Sequence, residues 1–454
     1  MAGRIKGSMT EGPLFRNIIS YTIPIILTSI LQLLFNAADL VVVGRFCGSL
    51  SVGAVGATGS LTTLLVNFFM GLSVGAGVAV AQAYGARDEE AVFETVHTVI
   101  PLALVCGVIL TFIGVLFSEP LLRVMNTPKD VLPLSALYMK IYFGGTIFNI
   151  TYNYAASILR AAGDTKSPLV FLTIAGVANV IFNVIFVTVF KMNVEGVAIA
   201  TVISQAISAI LTVIALMKRK DATKFFFGKM HFYKERLSKI LKIGLPAGIQ
   251  SSLFAISNVI IQSSINSFGK IFLSGVSAAA NIEGFQYAMM NSFYQSALNF
   301  TGQNVGAKKY DRVRKIYRIC ILSVVTVGIV TGILGVVFGR PLLSIYITDS
   351  QAAIDCGMKR MVWIGLVYFL CGMLEVTTGV LRGMGSSTGP TVISILGTCG
   401  FRILWIYTIF EIPRFHTPEV LYSSYGISWI VNIIAQYILY RWIYKKKTKD
   451  INKS

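Results

Sequence analysis

Long apolar stretches recur along the whole chain, and each is long enough to form a helix that crosses a bilayer. About 20 apolar residues span the ~30 Å hydrocarbon core of a membrane. These runs lack the ~10-residue alternation of lipid-facing β-strands. The pattern predicts an all-α integral membrane protein with twelve transmembrane helices. The predicted spans are residues 15–45, 50–85, 88–119, 131–161, 166–190, 194–217, 237–268, 273–306, 310–341, 352–383, 388–411 and 420–444.

The net charge of +19 indicates membrane topology rather than nucleic-acid binding. If both termini are cytoplasmic, most of the 39 lysines and arginines fall on the cytoplasmic side, as the positive-inside rule requires. The richest basic cluster, at residues 218–242, lies between spans six and seven, where anionic membrane lipid would attract it. We therefore expect a multi-pass protein of the cell (inner) membrane with both termini cytoplasmic, in contact with lipid and without a nucleic-acid partner.

Four sequence markers occur twice in the same order, about 221 residues apart. Because each half holds an even number of spans, both halves enter the membrane in the same sense, as in secondary transporters with parallel repeats. The repeat predicts a six-helix lobe at 1–217, a basic linker at 218–236 and a second six-helix lobe with a basic tail at 237–454. The matched markers are Pro24 with Pro246, 82–86 with 303–307, 117–122 with 338–343, and 160–168 with 382–390.

Glycines in the first two spans have the spacing of closely packed membrane helices. Gly44 with Gly48 and Gly71 with Gly75 are small-xxx-small pairs, a spacing that lets two backbones approach. Span two also carries Gly53, Gly56 and Gly59.

The repeated motifs and the basic linker resemble the multidrug and toxic-compound extrusion (MATE) family, whose members exchange sodium ions or protons for organic compounds. The resemblance covers nearly the whole chain and is most specific at Pro24, at Asn36-Ala-Ala-Asp39, in the two loops 160–168 and 382–390, and at Asn179-Val-Ile-Phe-Asn183. It implies a V-shaped pair of lobes, a central cleft and rocking between inward-open and outward-open states. We expect small organic substrates, a monomer, and no cofactor besides the coupling ion, Na⁺ or H⁺.

Asp39 on span one is a functional candidate because a charge inside a bilayer is costly. Gln32, Asn36 and Asp39 are spaced four and three residues apart, so they share one helical face. A polar face in a membrane must look inward. We therefore predict that Asn36 and Asp39 help to bind a coupling cation.

Two further spans offer oxygen ligands. Asn179 and Asn183 share a face of span five, and Thr201 lies on span six. Carboxylate, amide and hydroxyl oxygens suit a hard cation such as Na⁺. In the resembled family, the positions of Asp39, Asn179, Asn183 and Thr201 form a cation site in the N-terminal lobe, although some members carry a second aspartate at Asn183. The alternative is that the asparagines only tie helices together by hydrogen bonds.

Two carboxylates and many amides lie inside the spans of the second half. A polar ladder in steps of four residues begins at Glu283, and Glu375 lies on span ten. We predict that these groups line a substrate cavity; the alternatives are helix-to-helix hydrogen bonds and, for Glu375, a buried ion pair with a cation such as Arg402. One family branch carries acids where this chain has Phe254 and Cys371, so the mechanism of that branch does not transfer directly. The predicted cavity residues are Glu283, Glu375, Gln286, Tyr287, Asn291, Asn258 and Gln262.

Pro24 and Pro246 lie inside their spans, where each removes a backbone hydrogen bond and can kink the helix. A bend at Pro24 could move Asp39 between two states. The alternative is a static kink that serves packing.

Other functions find less support in the sequence. The three histidines are widely separated and no Walker A motif is present, so an enzyme is not expected. A channel would show rings of repeated selectivity residues. A flippase for a lipid-linked saccharide could share the two-lobe plan, but the acidic Asp39, Glu283 and Glu375 favour cationic or neutral substrates over a pyrophosphate.

Overall fold

The computed structural model describes residues 9–125 and 127–451, and each of the twelve predicted spans coincides with helical structure in it. Eight helices in this part of the chain are long and apolar enough to cross a membrane. The pair Gln351–Gly365 and Phe369–Gly383, bent by 43°, supplies a ninth span. Span four is helical but broken at Gly145, where an added Cβ would lie 2.4 Å from Val202. The remaining two, spans eight and twelve, are continuous helices with more polar residues. The all-α membrane fold is thus confirmed.

By its internal contacts the chain divides into two compact units, which we call unit 1 (residues 23–252) and unit 2 (residues 9–22 and 253–451). The apolar core of unit 1 is formed mainly by buried side chains of its second, third and fifth helices. The helices of unit 1 are α1 (Leu14–Phe46, from residue 23 onward), α2 (Ser49–Gly85), α3 (Glu89–Val124), α4 (Leu132–Gly144), α5 (Thr146–Ala161), α6 (Lys166–Val184), α7 (Val194–Met217) and the first part of α8 (Lys234–Asn266).

Unit 2 holds the rest of α8 and the helices that follow it. Two of its spans contain stretches of π-helix, span ten at Met361–Gly365 and span eleven at Ile395–Gly400 and Ile406–Phe410. Such stretches are often found at functional sites. The helices of unit 2 are α9 (Lys270–Gly306), α10 (Tyr310–Val337), α11 (Gly339–Ser344), α12 (Gln351–Arg360), α13 (Phe369–Gly383), α14 (Thr388–Ser394), α15 (Phe401–Trp405) and α16 (Pro418–Ile451).

The backbone conformation repeats at the same offset as the sequence. Five described positions in the first half have a positive φ, and three of them are matched by a residue 221 or 222 positions later with nearly the same angle. This left-handed region is sparsely populated by residues other than glycine. The backbone of both halves therefore has the same turn conformation at these equivalent positions. The matched residues are Gly48 (87°) and Gly269 (91°), Arg87 (59°) and Lys308 (58°), and Gly163 (96°) and Gly385 (87°).

The division into units does not follow the predicted domain boundaries. Residues 9–22, at the start of the first half, belong to unit 2, and the first part of α8 as far as Ser252 belongs to unit 1. In unit 2, Thr22 is hydrogen-bonded to Ser296 at 2.8 Å and Tyr21 meets the Phe300 ring edge-on. The predicted lobes describe the sequence repeat, and the compact units exchange the beginnings of their first helices.

Both prolines that were predicted to kink their spans lie inside continuous helices, Pro24 in α1 and Pro246 in α8. The boundary between the units crosses α1 directly before Ile23 and crosses α8 shortly after Pro246. Each helix therefore passes from one unit to the other close to a residue that weakens its hydrogen-bond ladder. The kinks themselves stay a prediction.

Glycines hold α2 against the first part of α8 within unit 1. A Cβ added to Gly71 would lie 2.2 Å from the backbone of Gly248, and one added to Gly75 would lie 2.2 Å from the Ile240 carbonyl oxygen. The close packing predicted for this pair is confirmed. The other predicted pair is packed less tightly, since a Cβ added to Gly44 would lie 3.4 Å from the Val52 side chain, and Gly48 has no neighbour within 4 Å of an added Cβ and occupies a turn. The same open space surrounds Gly53, Gly56 and Gly59.

The basic linker between α7 and α8 is folded against unit 1. Arg219 pairs with Asp221 at 2.6 Å, and Arg236 pairs with Glu94 at the start of α3 at 2.9 Å. Burial raises the pKa of the Asp221 carboxyl, but hydrogen bonds from Arg219 and Thr223 outweigh it and hold that pKa below its ordinary value. The linker is basic, and ion pairs also hold it in place within unit 1.

Candidate functional site

Asp39 is joined to Asn183 and Thr201 by hydrogen bonds within unit 1. Asn183 Nδ2 donates to Asp39 Oδ1 at 2.5 Å and to Asn179 Oδ1 at 3.2 Å. Thr201 Oγ1 lies 3.5 Å from Asp39 Oδ2 and 3.5 Å from Asn179 Nδ2. Helices α1, α6 and α7 thus bring all four predicted ligands together. We call these four residues the Asp39 network.

The Asp39 network offers an oxygen that no described residue satisfies. Asn183 is fully buried, yet its Oδ1 has no hydrogen-bond partner in the described part of the chain. A buried polar atom without a partner costs about 1–3 kcal/mol, so a cation in contact with this oxygen would remove that cost. Together with the carboxylate of Asp39, it forms an oxygen-rich group suited to a hard monovalent cation.

The donor set argues against a transition metal. Within residues 9–125 and 127–451, no three side chains of histidine, cysteine, aspartate or glutamate come together as metal ligands. The amide and hydroxyl oxygens of the Asp39 network are weak ligands for soft metals such as copper or zinc. They fit Na⁺, with a proton on Asp39 as the competing way to neutralise the carboxylate.

Asn36 and Gln32 are not part of this network. Both are exposed, and neither makes a hydrogen bond to another described residue. Asn36 lies three residues before Asp39, so it shares roughly the same helical face without reaching the carboxylate. A role for Asn36 in cation binding stays a prediction, and the shared face alone does not determine which polar residues bond to each other.

A layer of valines lies one helical turn from the Asp39 network. Val43, Val187 and Val197 are four residues from Asp39, Asn183 and Thr201 respectively, and they pack together with Val42 in one buried cluster. A cavity of about 470 Å³ adjoins this layer through Val187. Val187 thus belongs both to the buried valine cluster and to the lining of that cavity. The cavity is lined by Phe46, Cys47, Val187, Thr188, Lys191, Met192 and Asn193.

In unit 2, Glu283 forms a buried ion pair with Arg360. The Arg360 guanidinium donates through Nε at 2.8 Å and through Nη2 at 2.7 Å to the two carboxylate oxygens, and both side chains are less than a tenth exposed. This two-point geometry is the strongest form of such a pair. Glu283 thus already has a cation partner, and of the two acids predicted to line a cavity Glu375 is the one without such a pair.

Glu375 is the other carboxylate inside the spans of unit 2. No described cation lies within 4.0 Å of it, so the alternative of an ion pair with Arg402 is not seen. Tyr287, which lies in its neighbourhood, is 42% exposed. Glu375 is half-buried and lacks an ion-pair partner among the described residues, unlike Glu283, which Arg360 neutralises.

The remaining predicted cavity residues are spread along two helices. On α9, Asn291 lies 3.5 Å from the Tyr287 hydroxyl, and Gln286 is buried. On α8, Asn258 and Gln262 are exposed. The α9 residues extend the polar surface around Tyr287. Asn258 and Gln262 form a separate exposed polar stretch.

Sequence reasoning missed Arg360, although a signal for it was present. Arg360 lies eight residues inside predicted span ten, where a cation needs an acidic partner. Glu283 is 77 residues away in the sequence, so no local spacing could pair the two. A buried charge inside a span should itself have been treated as a site.

The fold and the site define a class of protein. Two repeated sets of membrane-spanning helices, a buried oxygen cluster in unit 1 and an open acid in unit 2 are the features of a membrane transporter.

Comparison with known proteins identifies the family. The family model MatE matches residues 24–185 and 246–408, once in each half of the chain. The chain belongs to the MatE family, whose members are multidrug efflux transporters and not enzymes. Each matched segment begins at one of the paired prolines, Pro24 and Pro246.

Relatives and solved structures match nearly the full length of the chain. "Probable multidrug resistance protein YoeA" of Bacillus subtilis is 28% identical over 95% of both chains. "Multidrug export protein MepA" of Staphylococcus aureus is 21% identical over 92% of this chain and 90% of its own. An outward-facing MATE family transporter of the MOP superfamily shares the fold with a TM-score of 0.88 at 19% identity, over 99% of this chain and 100% of that one. These bacterial relatives point to a multi-pass protein of the cell membrane.

Proposed function

We propose that the protein is a secondary active efflux transporter that exchanges Na⁺ or H⁺ for organic compounds by rocking-type alternating access. The observation that supports this most is the Asp39 network, in which one carboxylate, two amides and a hydroxyl from three helices are bonded together around a buried, unpartnered oxygen. The network would bind the coupling ion, and no further cofactor is proposed.

Coupling would arise because Na⁺ and a proton neutralise the same carboxylate. A sodium ion would take an oxygen of Asp39 together with the oxygens of Asn179, Asn183 and Thr201, in place of the hydrogen bond that Asn183 now donates. A proton on Asp39 would remove the negative charge that attracts the sodium ion. The two ions therefore compete, and either gradient can drive the exchange.

The substrate would meet the open acid of unit 2. Glu375 and the exposed phenol of Tyr287 present a negative charge and an aromatic face, which together suit an organic cation. The relatives named for multidrug resistance and export support organic compounds as the substrate class. We further propose a monomer with both termini in the cytoplasm and the basic linker near anionic lipid.

The proposal is tested in proteoliposomes that contain the purified protein. Efflux of a fluorescent organic cation is followed under an imposed Na⁺ gradient and then under a pH gradient. Asp39→Asn is expected to abolish efflux driven by either gradient, because it removes the charge that both ions neutralise.

Thr201 offers a matched pair of variants. Thr201→Val keeps the side-chain shape but removes the oxygen that lies 3.5 Å from Asp39, and we expect the Na⁺ concentration for half-maximal efflux to rise about tenfold. Thr201→Ser keeps the hydroxyl and should stay near wild type. If the wild type moves no organic cation under either gradient, the proposed function is wrong.

A further inference from the structure

The linker between α7 and α8 carries four exposed apolar side chains within seven consecutive residues. We call these four residues the linker patch: Phe226 (39% exposed), Phe227 (54%), Met230 (39%) and Phe232 (43%). The residue directly before them, Phe225, is 1% exposed and belongs to the apolar core of unit 1. A group of large apolar side chains that stays exposed on a folded segment indicates an interaction surface.

Hydrogen bonds to α3 hold the backbone at both ends of the linker patch. Phe226 N donates to His97 Nε2 at 3.1 Å, and His231 N donates to the His97 carbonyl oxygen at 3.2 Å. Thr98 Oγ1 donates to the His231 carbonyl oxygen at 3.3 Å and accepts from Tyr233 N at 3.2 Å. The exposed side chains therefore project from a backbone that is tied to α3 at four points.

Two lysines lie over the aromatic rings of this segment. Lys224 Nζ is 5.0 Å and Lys229 Nζ is 5.5 Å from the ring centre of Phe226, and Lys229 Nζ is also 5.4 Å from that of Phe93. Among the described residues, neither lysine has a carboxylate within 4.0 Å. Residues 218–242 hold nine lysines and arginines but only two acids. The surface around the linker patch is therefore positive, and its charge complements an anionic partner.

The linker patch lies next to the lipid-facing side of α3. The exposed apolar side chains of α3 begin at Val105 and end at Val124. At ~1.5 Å per residue this stretch is roughly 28 Å long, close to the ~30 Å of bilayer hydrocarbon. Thr98, which holds the linker, comes seven residues before Val105 and so lies roughly 10 Å beyond the hydrocarbon. This is the level of the lipid headgroups, so the patch continues the membrane-facing surface of unit 1.

We infer that the linker patch inserts into the cytoplasmic leaflet and that Lys224 and Lys229 bind the phosphate groups of anionic phospholipid there. Exposed aromatic side chains beside lysines are the composition of segments that lie in the membrane interface. The inference rests on the proposed cytoplasmic placement of the linker, and it names the inserted side chains and the lipid groups that the lysines bind. The hydrogen bonds to His97 and Thr98 would then hold this end of unit 1 at a fixed depth.

The test places a fluorescent reporter in the linker patch. Phe227→Trp puts an indole at the most exposed of the four positions. The full-length variant is reconstituted in vesicles of phosphatidylcholine with phosphatidylglycerol, and the signal of the four native tryptophans is subtracted with the wild type. We expect strong quenching by lipid brominated near the start of its acyl chains, weaker quenching by lipid brominated near the chain ends, and protection from iodide in the water.

Lys220→Trp is the matched control, because Lys220 is exposed in the same linker but outside the linker patch. Its reporter should be quenched by iodide and not by brominated lipid. Phe232→Trp provides a second reporter within the patch if Phe227→Trp does not fold. If iodide alone quenches the reporters at Phe227 and Phe232, as it does at Lys220, the linker patch faces water and the inference is wrong.

The two lysines are tested in the background of Phe227→Trp. Lys224→Gln together with Lys229→Gln should lower the ratio of inserted to free reporter about tenfold in vesicles with phosphatidylglycerol, because both lost charges attract anionic lipid. In vesicles of phosphatidylcholine alone the double substitution should change little. Inorganic phosphate in the buffer should leave the quenching unchanged, since the lysines bind lipid phosphate. Equal quenching with and without the two lysines would overturn their assignment.

The failures of the two proposals can be told apart, because quenching does not depend on transport. If the reporter is inserted while no organic cation moves under either gradient, the membrane anchor stands and the proposed exchange is wrong. If the reporter stays in water while Asp39→Asn still abolishes ion-driven efflux, the anchor is wrong and the exchange stands.

Discussion

Two of the buried arginines of unit 2 are accommodated in different ways. Arg360 is held by two short hydrogen bonds to Glu283, whereas Arg402 is held by Ser428 and an aromatic face. The first arrangement satisfies both charges internally and leaves nothing for a ligand. The second leaves Nη2 of Arg402 without a hydrogen-bond partner among the described residues. Both are buried arginines inside predicted spans, so their neighbours decide how each charge is held.

Removal of one partner of the Glu283 and Arg360 pair should destabilise the protein strongly. Glu283→Gln leaves a buried guanidinium uncompensated, at a cost of about 3–5 kcal/mol. We therefore expect a marked fall in the midpoint of thermal unfolding in detergent. The double variant Glu283→Leu with Arg360→Met removes both charges and should recover most of the loss.

An exposed ion pair provides the control for this prediction. Arg340 and Asp355 lie 2.9 Å apart but are 58% and 51% exposed, so Asp355→Asn should change the midpoint little. Equal losses for Asp355→Asn and Glu283→Gln would contradict the argument.

At the scale of helices, glycine spacing alone did not predict which surfaces pack closely. Gly71 and Gly53 both lie on α2 and both belong to runs of small residues. Only Gly71 faces another backbone, that of Gly248 on α8. The spacing permits close approach of two helices, but a partner helix must also be present on that side.

Gly71→Ala should therefore destabilise the protein and Gly53→Ala should not. The added Cβ of the first would lie 2.2 Å from the Gly248 backbone, which cannot give way as a side chain can, and overpacking of this kind costs about 1–3 kcal/mol. The second meets nothing within 4 Å and gains helix propensity. Thermal unfolding of both variants in the same detergent checks the difference, and a Gly71→Ala protein as stable as wild type would contradict it.

For the whole molecule, each compact unit includes a segment from the other half of the sequence. Unit 1 includes the first part of α8, and unit 2 includes residues 9–22. If the chain were cut in the linker, the first fragment would still supply residues 9–22 to unit 2. The second fragment would still supply the first part of α8 to unit 1. Contacts within the units, and not only the linker peptide, should hold the fragments together.

Cleavage in the linker should leave the protein assembled. A protease site inserted after Gly228, which is exposed between α7 and α8, would separate residues 1–228 from 229–454. We expect the fragments to elute together from size-exclusion chromatography in a mild detergent and to retain ion-driven efflux. Combination with Gly71→Ala should promote their separation, because it weakens the contact between α2 and α8. Fragments that separate at once without that substitution would show that the linker alone joins them.

The sequence by itself determined the membrane class, the places of the spans, the repeat and three faces that meet in the Asp39 network. These features depend on the length of apolar runs, on local periodicity and on matched motifs, all of which can be read from the order of residues alone. Only the tertiary structure decided that Glu283 pairs with Arg360, that no carboxylate of the described residues lies within 4.0 Å of Arg402, and that Gly71 meets Gly248. The physical reason is that each of these outcomes depends on which distant helices lie side by side, and spacing along one helix carries no information about its neighbour.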